Sequence, residues 1–342
     1  EGGSSVVLTV PKTDGVIDWN IHLPAAQSVA KTSADTCNRC HAAAGAGNVS
    51  LDDMQYSFKR GTIFAPGKDV HADAGLSCSY CHSAGQHQMK RSVNTDIYAY
   101  DNLVDHQMCA DCHTEKPHSA DSAGSMYNQH SQFISCTGCH AVSAGGAVYK
   151  DFADVASPDP ADPLGIYDVR VDLSGDDFQL EFAWFNGQVQ GKTQPLGGRE
   201  NGKIYPYKRI VFNQPVDAEC NPIPLKWRIL FLQGDVPAAA NAGRDQYAKM
   251  YSDELAQITG IPAVPGVFDH YQELSCVFSV SHGIVKDSAL TCQFCHNPNS
   301  TLDFQALGYS QEEESELKSM NFNVEGNRMG ESSQTKPDQS SK

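Results

Sequence analysis

The stretch that decides the reading runs from Cys109 to His140: Cys109-Ala-Asp-Cys112-His113, then Thr114-Glu-Lys-Pro-His118, Tyr127-Asn-Gln-His130 and Cys136-Thr-Gly-Cys139-His140. Two cysteines separated by two residues, with His immediately after, stand at both of its ends. The same five-residue word recurs at Cys37-Asn-Arg-Cys40-His41, Cys78-Ser-Tyr-Cys81-His82 and Cys292-Gln-Phe-Cys295-His296. C-x-x-C-H is the attachment signature of c-type haem: two thiols add across the porphyrin vinyl groups and the adjacent His reaches the iron from the same face. Zinc knuckles want two CxxC pairs per ion, and neither they nor thioredoxin-type redox pairs require a His after every second Cys. The five words therefore predict five covalently attached haems c, with His41, His82, His113, His140 and His296 as proximal ligands.

Working outward, the 342-residue chain sets 25 Lys+Arg against 41 Asp+Glu, a formal charge of −16. A nucleic-acid binder shows the opposite sign, and no run approaches the roughly 18 apolar residues of a spanning helix. Covalent haem attachment takes place outside the cytoplasm, so a secreted chain, periplasmic or extracellular, is expected, with Glu1-Gly-Gly-Ser-Ser5 read as a processed N-terminus. Two cysteines, Cys220 and Cys276, belong to no haem word. In an oxidising compartment they read as a disulfide closing a loop of about 56 residues, worth ~4 kcal/mol in the chain-entropy model. The alternative is two unpaired buried thiols.

Four of the five words fall within residues 1–145, too close together for each cofactor to have its own protein core. The macrocycles must supply much of the buried apolar surface there, and short helices and loops are expected because Gly, Ser, Ala and Asp punctuate every gap. The character changes over residues 146–275, which carry no haem word and read as a β-rich insert. Tyr167, Val169, Val171 and Leu173 alternate with polar residues, a period of two. Phe178–Trp184 and Lys226–Leu232 are further strand candidates, and an amphipathic helix is expected near 244–258. Residues 276–312 hold the fifth word. Ser310-Gln-Glu-Glu-Glu reads as a capped helix start, and residues 313–342 form an acidic, polar tail. The fold class expected is a mostly irregular and α multihaem cytochrome c with short helices around stacked haems, plus a haem-free β-rich subdomain.

Five six-coordinate irons need five distal ligands, and eight His remain: His22, His71, His87, His106, His118, His130, His270 and His282. With only 7 Met present, bis-His ligation is favoured over Met/His. His87 and His118 each lie five residues after a proximal His, too near to wrap the same macrocycle edge, so each suits a neighbouring haem. His71 and His130, shortly before Cys78 and Cys136, and His282, ten before Cys292, also suit adjacent sites. His22, His106 and His270 stand in reserve.

Asp69-Val-His71, Gly75-Leu-Ser-Cys78, Trp184-Phe-Asn-Gly187, Gly202-Lys-Ile-Tyr-Pro-Tyr-Lys208, Gln214-Pro-Val-Asp217, Ser281-His282-Gly-Ile-Val-Lys286 and Leu302-Asp-Phe-Gln-Ala-Leu-Gly-Tyr309, taken with the words above, resemble the octahaem tetrathionate reductase family of multihaem cytochromes. The resemblance is collinear over about residues 69–309, and it implies His71, His87, His118, His130 and His282 as distal ligands. That family carries eight haems where this chain has five words. Its reactive haem uses a lysine in place of a usual ligand, and no lysine here is placed at an equivalent position. Related multihaem chains polymerise into extracellular filaments in which a His of one subunit ligates iron in the next; His22 would suit that part, or would serve the first haem of its own chain.

The expectation for function is an electron carrier or conduit, with no catalytic residues, passing charge between redox partner proteins or through a homopolymer of itself. The alternative is a periplasmic reductase of a small oxoanion or nitrogen compound such as tetrathionate, nitrite or hydroxylamine. That reading needs an iron with a displaceable ligand and cationic donors, for which Lys203, Lys208, Arg209 and His270 are the candidates.

Overall fold

The computed structural model describes residues 12–13, 16–17, 37, 64–82, 84–85, 88–89, 108–159, 166–178, 180–187, 189–190, 194–250 and 264–320. Cys40, His41, His22, His87, His106 and the expected tail beyond residue 320 lie outside them.

The four described CxxC words fold as single helical turns. Before the sheet come α1 (Val70–Asp73), α2 (Cys78–Cys81), α3 (Ala110–His113), α4 (Ser122–His130) and α5 (Cys136–His140). Only α4 exceeds two turns, with Asp121 accepting from Gly124 N at its N-cap and Gly124 packed so tightly on Ser119 that no Cβ would fit. After the sheet, α8 (Cys292–Cys295) carries the fifth word and α9 (Gln311–Ser319) starts with the capping box expected at Ser310 and Glu313.

The largest regular unit is a five-stranded mixed sheet of β1 (Ala144–Ala156), β2 (Asp168–Phe178), β3 (Glu181–Phe185), β4 (Lys203–Val216) and β5 (His270–Ser279). The path runs β5-β4-β1-β2. β4 lies antiparallel to β5, from Tyr207 opposite Ser279 to Val216 opposite His270, and parallel to β1 at Val211 to Asn213. β3 pairs antiparallel with the start of β4, at Lys203 to Pro206. Against the expectation of a mostly irregular and α fold, the helices before the sheet are short and regular structure is dominated by the sheet.

Period-two alternation along β4 places Ile204, Pro206, Lys208, Ile210, Phe212, Gln214 and Val216 on one buried face. Ile210 and Phe212 join Phe152, Val169, Cys276 and Phe278 in the main core, closed by α6 (Trp227–Gln233) and α7 (Val236–Met250) through Leu230, Val236 and Ala239. A second cluster, Trp184, Ile204, Leu302, Phe304 and Leu307, fastens the sheet to the fifth word's segment, and Trp184 Nε1 donates to Leu307 O at 2.7 Å.

Three expectations are corrected. Lys226–Leu232 is the helix α6, not a strand. Its apolar residues Trp227, Leu230 and Phe231 recur at helical spacing, and Gly234 ends it at φ 67° in the left-handed region that favours glycine. The helix expected near 244–258 begins earlier, at Val236, where Asp235 accepts from Ala238 N. Cys220 and Cys276 are not bridged to each other. Cys276 sits opposite Ile210 in mid-strand, whereas Cys220 follows the end of β4, where Val216 faces His270. At about 3.3 Å per residue, six residues of strand separate Cys276 from that end by ~20 Å, against the 4.4–6.8 Å that a disulfide spans between Cα atoms.

Candidate functional site

One helical turn explains the CxxC spacing: residues three apart lie on the same helix face, so both thiols of a word point the same way and the following His leaves from the end of that turn. Such turns hold Cys78 and Cys81, Cys109 and Cys112, Cys136 and Cys139, and Cys292 and Cys295.

Each described word His faces a second imidazole. His82 lies 6.3 Å from His282 between ring centroids, His113 lies 6.0 Å from His71, His140 lies 6.2 Å from His118, and His296 lies 6.2 Å from His130. A metal–imidazole bond of about 2.0–2.1 Å, plus about 1.1 Å from nitrogen to ring centre, puts two opposed ligands of one metal about 6.3 Å apart. All four spacings fit an axial pair. Among the described residues no group of three or more His, Cys, Asp or Glu is gathered to hold a bare ion, so the imidazoles come in twos.

The hydrogen bonds behind these rings settle which nitrogen faces inward. His140 Nδ1 meets Val285 O at 2.8 Å, His130 Nδ1 meets Met126 O at 2.9 Å, and His296 Nδ1 meets Leu317 O at 2.9 Å. A carbonyl only accepts, so each Nδ1 carries the proton and Nε2 keeps its lone pair for a metal. His118 Nδ1 meets Asn128 Oδ1 at 3.2 Å, and His71 Nδ1 meets the Asp69 carboxylate at 3.0 Å. Asp69 is 1% exposed and also accepts from the N–H groups of His71, Gly283 and Ile284 at 2.9, 2.9 and 3.0 Å.

Neighbouring words interact in chain order: Cys37 hydrogen-bonds Cys78, Cys109 hydrogen-bonds Cys136, and Cys81 with Cys112 and Cys139 with Cys292 and Cys295 are near enough to act on one another electrostatically. As free thiols these groups are perturbed accordingly. Burial pushes Cys139 up to about 11 and Cys295 to about 12, while the hydrogen bond from Cys109 brings Cys136 down to about 6.

Of the distal candidates, the structure sets His71, His118, His130 and His282 opposite word His residues, each from the flank of a different word. His270 is elsewhere, at the far end of β5 with its Nδ1 on Asp269. The four residues considered for an anion pocket diverge. Lys203 Nζ donates to Ser131 O, Lys208 Nζ donates to Gly145 O inside the core, and Arg209 forks onto Glu181 at 2.5–2.7 Å. His270 lies eight strand residues, or about 26 Å, from the level of Lys208. Sequence reasoning missed the second tier, Asp69 and Asn128; their only trace was position, each standing two residues before a candidate His.

No protein-family model matches the chain, and no curated protein matches it. Among solved structures, it is similar to an octahaem cytochrome c from Shewanella oneidensis, at 24% identity and a TM-score of 0.52, over 84% of this chain and 68% of that one. The fold thus resembles that of a multihaem cytochrome. Among the described residues no helix is long and apolar enough to cross a membrane.

Proposed function

We propose that this chain is a multihaem c-type cytochrome that relays electrons through five bis-His haems arranged in file. The observation that carries the reading is the interlacing of the four imidazole pairs. His71 stands beside the Cys78 word yet faces His113, His118 follows the Cys109 word yet faces His140, and His130 precedes the Cys136 word yet faces His296. Each distal His thus belongs to the backbone of an adjacent site, which ties neighbouring centres together.

In this reading the ten word cysteines, Cys40 included, form the thioethers. His41, His82, His113, His140 and His296 ligate from one side, and His71, His118, His130 and His282 ligate from the other. His87 is assigned to the first centre, with His22 and His106 in reserve. Bound haem supplies reversible one-electron chemistry at iron. The protein's part is to hold both imidazoles rigidly, so that ligand geometry changes little between oxidation states, and to leave no position open to substrate. The acidic surface fits a basic redox partner, and copies of the chain itself are the other candidate partner. A secreted location, periplasmic or extracellular, follows from the chemistry of haem attachment, and polymerisation into an extracellular filament is the extended form of the same function. The scattering of Lys203, Lys208, Arg209 and His270 weighs against the reductase alternative.

Mass spectrometry of the purified chain is expected to show five haem increments, and low-temperature EPR only low-spin iron with no carbon monoxide-reactive centre. His118→Ala is expected to convert one centre of the five to a high-spin, carbon monoxide-binding form. A bare polypeptide mass would refute the cofactor assignment. A reproducible ligand-accessible haem in the unaltered protein would return the reductase.

A further inference from the structure

We infer that Asp69 sets the order of potentials, making the centre held by Cys109, Cys112 and His113 more reducing than the Cys136 and Cys292 centres. The inference rests on the axial pairing above and concerns what stands behind the ligands. Behind five of the pairing rings, the Nδ1 acceptors are three backbone carbonyls, one side-chain amide and one carboxylate. Among these five, the carboxylate stands behind His71. A hydrogen bond to an ionised acceptor is shorter and about twice as strong as one to a neutral acceptor, so it draws the Nδ1 proton outward and strengthens Nε2 as a donor to iron. Stronger donation and a nearby negative charge both favour the ferric state, which lowers the potential.

Burial makes the effect local and strong. Asp69 is 1% exposed, so water does not screen its charge. Its second oxygen accepts from Gly283 N and Ile284 N, the two residues after His282. One carboxylate therefore orients His71, which faces His113, and anchors the loop carrying His282, which faces His82. Asp69 is a positioning residue shared by two adjacent centres, with its direct proton contact at only one of them. By the same logic the Cys136 centre is less reducing, because Asn128 offers His118 a neutral amide in the corresponding place.

The test is a pair of substitutions read by redox titration with EPR or NMR resolving the individual haems. Asp69→Asn removes the charge. It is expected to shift the ferric–ferrous equilibrium of the Cys109 centre about tenfold toward ferrous, equivalent to ~59 mV upward for one electron, with a smaller shift at the Cys78 centre. Asn128→Asp places a carboxylate behind His118 and is expected to shift the Cys136 centre about tenfold the other way. Five haem increments and low-spin spectra in both variants separate a tuning effect from a lost ligand. If Asp69→Asn loses haem or misfolds, the Asn128→Asp shift alone decides. Unmoved potentials in a fully loaded Asp69→Asn protein, or in Asn128→Asp, would overturn the inference. Absence of haem from the unaltered protein would instead overturn the proposed function.

Discussion

Lys208 is expected to make stability rise with pH across a window where surface lysines do nothing. It is fully buried on the core face of β4, opposite Phe278, with Ile210 next along the same face. Burial brings its pKa from 10.5 down to about 7. Between those values the unfolded chain holds a proton that the folded chain has released, so the unfolding free energy increases with pH from about 7 to 10.5. Below pH 7 the charge is buried in full and the cost is greatest; above 10.5 both states are neutral and the cost is gone. At 1.36 kcal/mol per pKa unit the swing is on the order of 5 kcal/mol. Lys208→Met removes it. The variant should be more stable than the parent by several kcal/mol at pH 6, with the gain shrinking toward pH 10.5. There the lost hydrogen bond to Gly145 O leaves the variant about 1 kcal/mol worse. Denaturant unfolding of both holoproteins, followed by far-ultraviolet circular dichroism from pH 6 to 11, gives the two curves. Parallel curves would refute the reasoning, because they would mean the folded protein compensates the Lys208 charge at every pH.

Two further substitutions probe the frame around the site. Ser310→Ala removes one half of the capping box, where Ser310 Oγ accepts from Glu313 N at 3.1 Å, and should cost about 1 kcal/mol in thermal or denaturant unfolding. The other end of the same helix presents Leu317 O to His296 Nδ1, so a frayed helix should broaden resonance Raman bands of the Cys292 centre while the other centres keep theirs. Gly243→Ala places a Cβ 2.0 Å from Pro224 O where α7 crosses the preceding segment, and is expected to cost 1–3 kcal/mol. Gly198→Ala, with open space around it, is the control and should stay within about 0.5 kcal/mol of the parent.

What the sequence made legible follows the range of each interaction. The haem words needed only five consecutive residues, and the capping box at Ser310 only four, so both could be read directly. The alternation at Tyr167–Leu173 was likewise local and matches β2. Lys226–Leu232 misled because a short apolar run suits a buried strand and a helix equally, and the deciding signal, Gly234 in the left-handed region, lay outside the run. The Cys220–Cys276 bridge failed for the opposite reason. Its logic was chemical, whereas the separation is set by the β4–β5 register, which depends on pairing ten residues with ten others. Asp69 was beyond reach, since its partners Gly283 and Ile284 are more than two hundred positions away.

The sheet, which carries no haem word, still has a place in the relay. Ile204 pairs with Trp184 inside the sheet and bridges to Ile134, while its carbonyl accepts from Ser135 N, the residue that caps α5. Ala141, directly after His140, bridges to Ile284, and Val285 N donates back to His140 O. Leu290 N donates to Cys139 O. The Cys136 word is therefore bonded through its backbone to strand β4 on one side and to the 284–290 segment on the other. Rigid elements hold ligands more precisely than loops do, and slow ligand motion keeps the reorganisation on electron transfer small. In the relay proposed above, the sheet's contribution is stiffness: it braces the Cys136 word on two sides, so its ligands need not rearrange when the centre changes oxidation state.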